Sequence, residues 1–174
     1  EATDAAAAEE PAAAAAEETA TVGPSDRAKA FAGKWVLDGI GGDPYALMVE
    51  LGVHWFTAKK NALAAHAAVA SGQVKTEITV EDDGGKDKFT IASSVGSFGG
   101  SVATWTVGGG SFHNKASDGK EYDIAPAWDG EEVKAEMVRD GKTMQVRRFI
   151  REDRRMEIES SYHGKSSSEI YKRL

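Results

Sequence analysis

The stretch Met144–Leu174 constrains this chain more than any other, because its three consecutive antiparallel strands carry charges that a dry core does not hold. The strands are MQVRRFIRE, RMEIESSYHG and KSSSEIYKRL, joined by short turns at Glu152–Arg154 and His163–Lys165. Side chains alternate faces along a strand. Met144, Val146, Arg148 and Ile150 therefore share one side of the first strand, and Ser167, Glu169 and Tyr171 share one side of the last. The inward set mixes apolar residues with Arg148, Glu169 and Tyr171. Burying an unpaired charge costs several kcal/mol or more, so these groups point to a sheet closed around a ligand-filled or water-filled cavity.

The rest of the chain supplies the other strands. From Gln73 onward, segments such as VKTEITVED, KFTIASSVG, SVATWTV, EYDIAPAW and EVKAEMV are separated by turns, among them DDGGKD and the Asp-Gly pairs at 129–130 and 140–141. With GKWVLDG (33–39), broken by glycines at 39, 41 and 42, this makes about ten strands at hairpin spacing. A Greek-key sandwich needs a longer connection, and none follows residue 72. The expected class is mainly all-β: a ten-stranded antiparallel up-and-down barrel.

One region is helical. Asp43 reads as an N-cap with Pro44 at the first helical position, and Leu47, Met48 and Leu51 follow at helical spacing. Gly52 marks a break, and a second, alanine-rich helix runs from about Trp55 to Ala70, ending at Ser71–Gly72. Two short helices between the first strand and the rest form a lid, not a layer. A short entry turn over residues 26–32, capped by Asp26, places Phe31 as a plug for the barrel bottom.

Residues 1–25 are low-complexity Ala/Glu with Pro11 and Pro24 and have no apolar stripe to bury. They are expected to form a flexible tail, leaving 26–174 as the barrel domain. Residues 1–30 hold seven acidic and two basic residues of a chain whose formal charge is −7. The body is thus near neutral and has no basic block, which argues against nucleic acid as a partner. With no cysteine there is neither a disulfide framework nor a thiolate metal site, which suits a reducing, cytoplasmic setting. No apolar run approaches the roughly 20 residues that span a bilayer, so stable membrane insertion is not expected. The first residue is Glu1, so a removed leader or a trimmed start fits, and the missing secretory signal says little.

Taken in order, FAGKWVLDG, the DPY…LGV helix–turn–helix, WTVGGGSF, the paired Asp-Gly hairpins and EIYKRL resemble the intracellular lipid-binding proteins, a calycin-type family that includes the fatty-acid-binding and cellular retinoid-binding proteins. The resemblance covers roughly residues 27–174 and rests on the order and spacing of the motifs. It implies a ten-stranded β-clam with a helix–turn–helix lid over a water-containing cavity. It also implies a fatty-acid carboxylate held by an arginine seven residues after the glycine of an Asp-Gly hairpin, here Arg148, and by an Arg-x-Tyr pair in the last strand. The tyrosine of that pair matches Tyr171, but its arginine matches Glu169. Arg148 and Glu169 fall on neighbouring or near-neighbouring inward positions, where pairing would make Arg148 a poor carboxylate anchor. Retinol-type members replace the arginines by uncharged residues and take a neutral alcohol, so Glu169 shifts the expected ligand toward a neutral or weakly polar lipid. Trp105, with Val107, matches a barrel-lining segment and is a further candidate ligand contact.

Other constellations favour ordinary structural roles. His54, His66, His113 and His163 have no metal-like spacing and read as lid or surface residues. No Gly-x-Ser-x-Gly occurs, and SSVGSFGGS lacks the Lys-Ser/Thr of a phosphate loop and reads as hairpin turn. Trp35, Trp105 and Trp128 read as barrel core, while Trp55 and Phe56 pack the lid on the barrel rim or, alternatively, line a portal or dip into a membrane. Nothing demands an enzyme, a cofactor or a metal. The expected function is non-catalytic binding and transport of a fatty acid, retinoid or other lipid by a monomer. The alternative is a barrel retained as a structural or protein-interaction module with the tail as tether, and Arg148, Glu169 and Tyr171 as a polar network around water.

Overall fold

A computed structural model describes residues 23–97, 99–116 and 119–174 of the chain. The tail reading falls on residues 1–22, which lie outside the described residues. Ten antiparallel strands form one sheet that rolls into a nearly closed barrel: β1 Gly33–Gly42, β2 Val74–Asp82, β3 Asp87–Val95, β4 Gly100–Thr106, β5 Phe112–Lys115, β6 Glu121–Asp129, β7 Glu132–Arg139, β8 Lys142–Ile150, β9 Met156–Tyr162 and β10 Lys165–Arg173. Each strand pairs with its neighbour in sequence except at two places. β1 pairs with β10, which brings the ends together, and β4 and β5 share no ladder. Across that seam Asn114 Oδ1 accepts the Thr104 backbone N–H at 3.2 Å.

Local chemistry explains the turns and breaks. Asp140 and Gly141 both have positive φ (51° and 73°), as do His163 and Gly164 (47° and 75°), so these two hairpins use the turn geometry whose twist matches the flanking strands. Pro126 sits inside β6, which no N–H-less residue enters without a free side. β5 pairs only as far as Ile124, so the proline faces the seam while its Cα pairs with Ala135 of β7.

The glycines at 39, 41 and 42 do not end β1, as the sequence reading expected. The strand continues through a bulge between Leu37 and Gly39 and runs to Gly42. The reason is close approach rather than a break: a Cβ at Gly41 would meet Ser168 Oγ at 2.4 Å, and one at Gly42 (φ +66°) would meet the Ser166 carbonyl oxygen at 2.6 Å.

Among the described residues, three helices complete the fold. α1 (Asp26–Lys29) is capped by Ser25, not by Asp26, whose place is the first helical residue. α2 (Pro44–Glu50) has Asp43 as N-cap and Pro44 in its first turn, and α3 (Trp55–Ser71) ends at Gly72 in the left-handed conformation, both as the sequence indicated. α2 packs on β10 and α3 on β1, so the pair lies over one end of the barrel.

The opposite end is dry. Phe31, Trp35, Ile78, Phe89 and Met156 are all fully buried there, with Phe89 stacked on Trp105 at 4.6 Å between ring centroids. Side chains of this size each contribute about 1.5–3 kcal/mol on burial. Phe31 is the expected plug, edge-on to Phe89. A buried carboxylate fastens it: Asp87 accepts the Ser25 N–H at 2.7 Å, the Ser25 hydroxyl at 2.8 Å and the Trp128 indole N–H at 3.0 Å. With three donors on the carboxylate, its desolvation is compensated.

Candidate functional site

Between this plug and the lid lies a cavity of about 600 Å³, lined by the inner face of the rolled sheet and by α2 and α3. Ligand pockets typically enclose about 300–1,000 Å³. It exists because the inward positions change character along the strands. Toward the plug they are Trp, Phe and Ile; toward the lid they are Ser, Thr, Met and Ala, whose side chains do not reach across.

The inward face read from the alternation is observed: Met144, Val146 and Arg148 of β8, and Ser167, Glu169 and Tyr171 of β10, all line the cavity. Arg148 stands opposite Ile158 of β9, and Ile158 stands opposite Glu169 of β10. The two charges thus occupy one row with a single strand between them, about 10 Å from backbone to backbone. They do not form an ion pair. Tyr171 donates its phenol proton to Glu169 Oε2 at 2.7 Å. Arg148 Nη1 sits 3.8 Å from Met156 Sδ, and among the described residues no carboxylate oxygen lies within the 4.0 Å of an ion pair.

The electrostatics follow from this placement. Burial pushes the Arg148 pKa down, opposed by the nearby Tyr171, Glu169 and Tyr122. An arginine remains protonated nonetheless, so a partly buried cation lines the cavity. Burial and the adjacent Glu169 hold the Tyr171 phenol well above its ordinary value, which keeps it a neutral donor at physiological pH. Burial raises the Tyr122 phenol as well. Arg148 and Glu169 keep accessible surface because they face the cavity they line.

Trp105 lies in the cavity lining with only 4% of its surface accessible, its ring held by the stack on Phe89. It forms the boundary between plug and cavity.

Sequence reasoning placed the Ser167 hydroxyl inward but missed four others, Thr76, Ser93, Ser101 and Ser160. Thr76, Ser93 and Ser101 are cross-strand partners in one row over β2, β3 and β4, and Thr76 Oγ1 and Ser93 Oγ are 3.2 Å apart. Ser160 and Ser167 pair across β9 and β10. All five line the cavity. Ser93 and Ser101 lie in the segment SSVGSFGGS, where the glycines drew attention to the turn and away from the strands on either side. Their alternation with Ile91 and Ala103 was the available signal.

The lid is tied to the rim by polar contacts. His163 Nδ1 and Glu50 Oε1 are 3.0 Å apart, the Asp43 N–H donates to the Ser166 carbonyl at 2.9 Å, and Lys142 reaches the Leu51 carbonyl at the end of α2. Leu47 and Ala58 are its buried residues. Trp55 and Phe56 do not pack on the rim: they are 57% and 61% exposed and stack edge-on with each other. The alanines of α3 bring its backbone close to the barrel and leave these two large residues on the outward side.

No family model matches this chain, and no curated protein matches it. Solved structures do. A Schistosoma mansoni fatty-acid-binding protein in complex with arachidonic acid is 24% identical over 85% of this chain and 98% of its own, with a TM-score of 0.60. Fatty-acid-binding protein 1 of Echinococcus granulosus is 20% identical over 84% and 98%, with a TM-score of 0.58. The wild-type fluorescent protein UnaG is 15% identical over 84% and 98%, with a TM-score of 0.61. The chain has the ten-stranded, lidded barrel fold of the fatty-acid-binding proteins that its sequence resembles.

Proposed function

We propose that the protein binds and carries a hydrophobic small molecule, a fatty acid, retinoid or other lipid, in the barrel cavity without altering it chemically. The observation that carries this reading is an inward-facing, partly buried guanidinium, Arg148, which lines a lidded cavity of about 600 Å³ and lacks a carboxylate partner among the described residues. A structural arginine in that position is expected to be paired, because an unpaired buried charge is costly; one that awaits a ligand's oxygen atoms is not.

In this reading Arg148 holds the polar end of the ligand, Tyr171 and Glu169 flank it, and Trp105 borders the chain. The engagement of Glu169 by Tyr171 supports a carboxylate-bearing lipid more than the sequence did, because it removes the self-pairing that would have blocked Arg148. Fold neighbours whose names specify fatty-acid binding add support. The protein acts as a cytoplasmic monomer and needs no cofactor or metal. No helix among the described residues is long and apolar enough to cross a membrane.

Titration of the delipidated protein with a fluorescent fatty-acid analogue tests the reading. Saturable 1:1 binding that weakens about tenfold or more in Arg148→Leu, with the circular dichroism spectrum retained, is the expected result, since charge-assisted hydrogen bonds are the strong ones. Unchanged affinity in the variant for every lipid tested removes Arg148 from the site. No binding by the wild type overturns the carrier function.

A further inference from the structure

The cavity contains more hydrogen-bonding capacity than a plain acyl chain can use, and its arrangement is directional. Glu169 is the informative group. A carboxylate only accepts, Tyr171 occupies Oε2, and among the described residues Oε1 has no protein donor. The Glu169 side chain is accessible from the cavity and stands in the same cross-strand row as Arg148. The site therefore presents, in one row of the cavity wall with β9 between them, a cation that seeks acceptor oxygens and an anion that seeks a donor. An unsubstituted fatty acid satisfies only the first. Its carboxylate, brought to Arg148, also faces the negative charge of Glu169 with no proton to offer it.

The polar surface extends beyond these two groups. Ser160 and Ser167 lie two residues farther along β9 and β10 from Ile158 and Glu169, about 7 Å toward the lid. Thr76 faces the Tyr171 phenol and begins the hydroxyl row that continues through Ser93.

We infer that the ligand of this cavity is a hydroxylated long-chain acid, its carboxylate on Arg148 and a hydroxyl close to that carboxylate donating to Glu169 Oε1. The inference rests on the carrier reading above and specifies its ligand. The hydroxyl belongs near the carboxylate, as in a 2- or 3-hydroxy acid, because Arg148 and Glu169 line the same cavity from one cross-strand row. The serine pair offers further partners to oxygen atoms at the lid end of the headgroup.

The test compares hexadecanoic acid with 2-hydroxyhexadecanoic acid by isothermal titration calorimetry on the delipidated full chain, and repeats both with Glu169→Gln and Glu169→Leu. The hydroxy acid is expected to bind the wild type about tenfold more tightly than the plain acid, the factor set by one hydrogen bond to a charged group. That preference falls toward unity in Glu169→Leu, is partly retained in Glu169→Gln, and the plain acid gains affinity in both as the negative charge is removed. Retained far-ultraviolet circular dichroism shows that the variants are folded. Equal or tighter binding of the plain acid to the wild type overturns the hydroxy-acid inference while leaving the carrier reading intact. A preference that survives Glu169→Leu overturns the role of Glu169. Absence of heat or binding with either acid, and with a fluorescent lipid probe, overturns both readings at once.

Discussion

The two ends of this barrel are built by the same strands and obey the same alternation, yet one is solid and the other hollow. At the plug, inward positions hold Phe31, Trp35, Phe89 and Met156, and the buried carboxylate of Asp87 accepts from three donors. Between the plug and the lid, inward positions hold hydroxyls, methionines and alanine, and the inward-facing cation Arg148, at the plug side of this cavity, has no carboxylate partner among the described residues. The contrast teaches that polarity alone does not mark a site. Asp87 and Arg148 are both charged and both inward; what separates them is whether the protein itself completes their hydrogen bonds. A completed group holds the fold, and an incomplete one beside open volume is available to a ligand.

That contrast can be broken or sharpened by substitution. Phe89→Ala should have the largest effect, about 3–5 kcal/mol of lost stability in chemical denaturation, because it empties the centre of the plug beneath Trp105. A loss below about 1 kcal/mol would mean that the plug is not the stabilising end. Asp87→Ala comes next, at about 2–3 kcal/mol, since it strands the Ser25 and Trp128 donors in a buried setting; denaturant midpoints read this directly. Arg148→Leu should do the opposite in the cavity above the plug. Removing a partly buried cation that no carboxylate among the described residues pairs leaves stability unchanged or raised by about 1 kcal/mol, while lipid binding weakens. A variant that loses both stability and binding would place Arg148 with Asp87 among the structural charges.

The smallest effect concerns the outer surface. His113 is exposed on β5, with Asp123 at 2.9 Å and Glu121 at 3.6 Å. The hydrogen bond to Asp123 raises its pKa above the ordinary 6.5, opposed by desolvation and aided by the charges of Glu121 and Asp123. Because the folded-state pKa is the higher one, the contact stabilises below the unfolded value and is lost as pH rises through the folded value. Titration by NMR should show the His113 pKa falling in Asp123→Asn, with lipid affinity unchanged.

Much of this was legible in the sequence, for reasons that individual residues make plain. Period-two alternation put Arg148, Glu169 and Tyr171 on one interior surface, and Asp-Gly pairs set the hairpins, because both signals are local. The N-cap at Asp43 and the stop at Gly72 were local too. The errors came where long-range contact decides. Gly41 and Gly42 read as strand breakers, whereas their absent side chains make room for Ser168 and the backbone of Ser166. Trp55 and Phe56 read as rim packing because large apolar residues usually bury, and nothing local reveals which side of an alanine-rich helix meets the barrel. The partner of Glu169 could not be read at all. Choosing Tyr171 over Arg148 depends on reach across β9, and the hydroxyl row through Thr76, Ser93 and Ser101 joins residues that only strand register brings together.

The central claim is that the hollow end is made to be filled. Mass spectrometry of an organic extract of the natively purified protein tests it most directly. The account predicts one lipid per protein molecule, an acid carrying a hydroxyl group. An extract without lipid, together with failure of the delipidated protein to bind any fluorescent lipid probe, would contradict it.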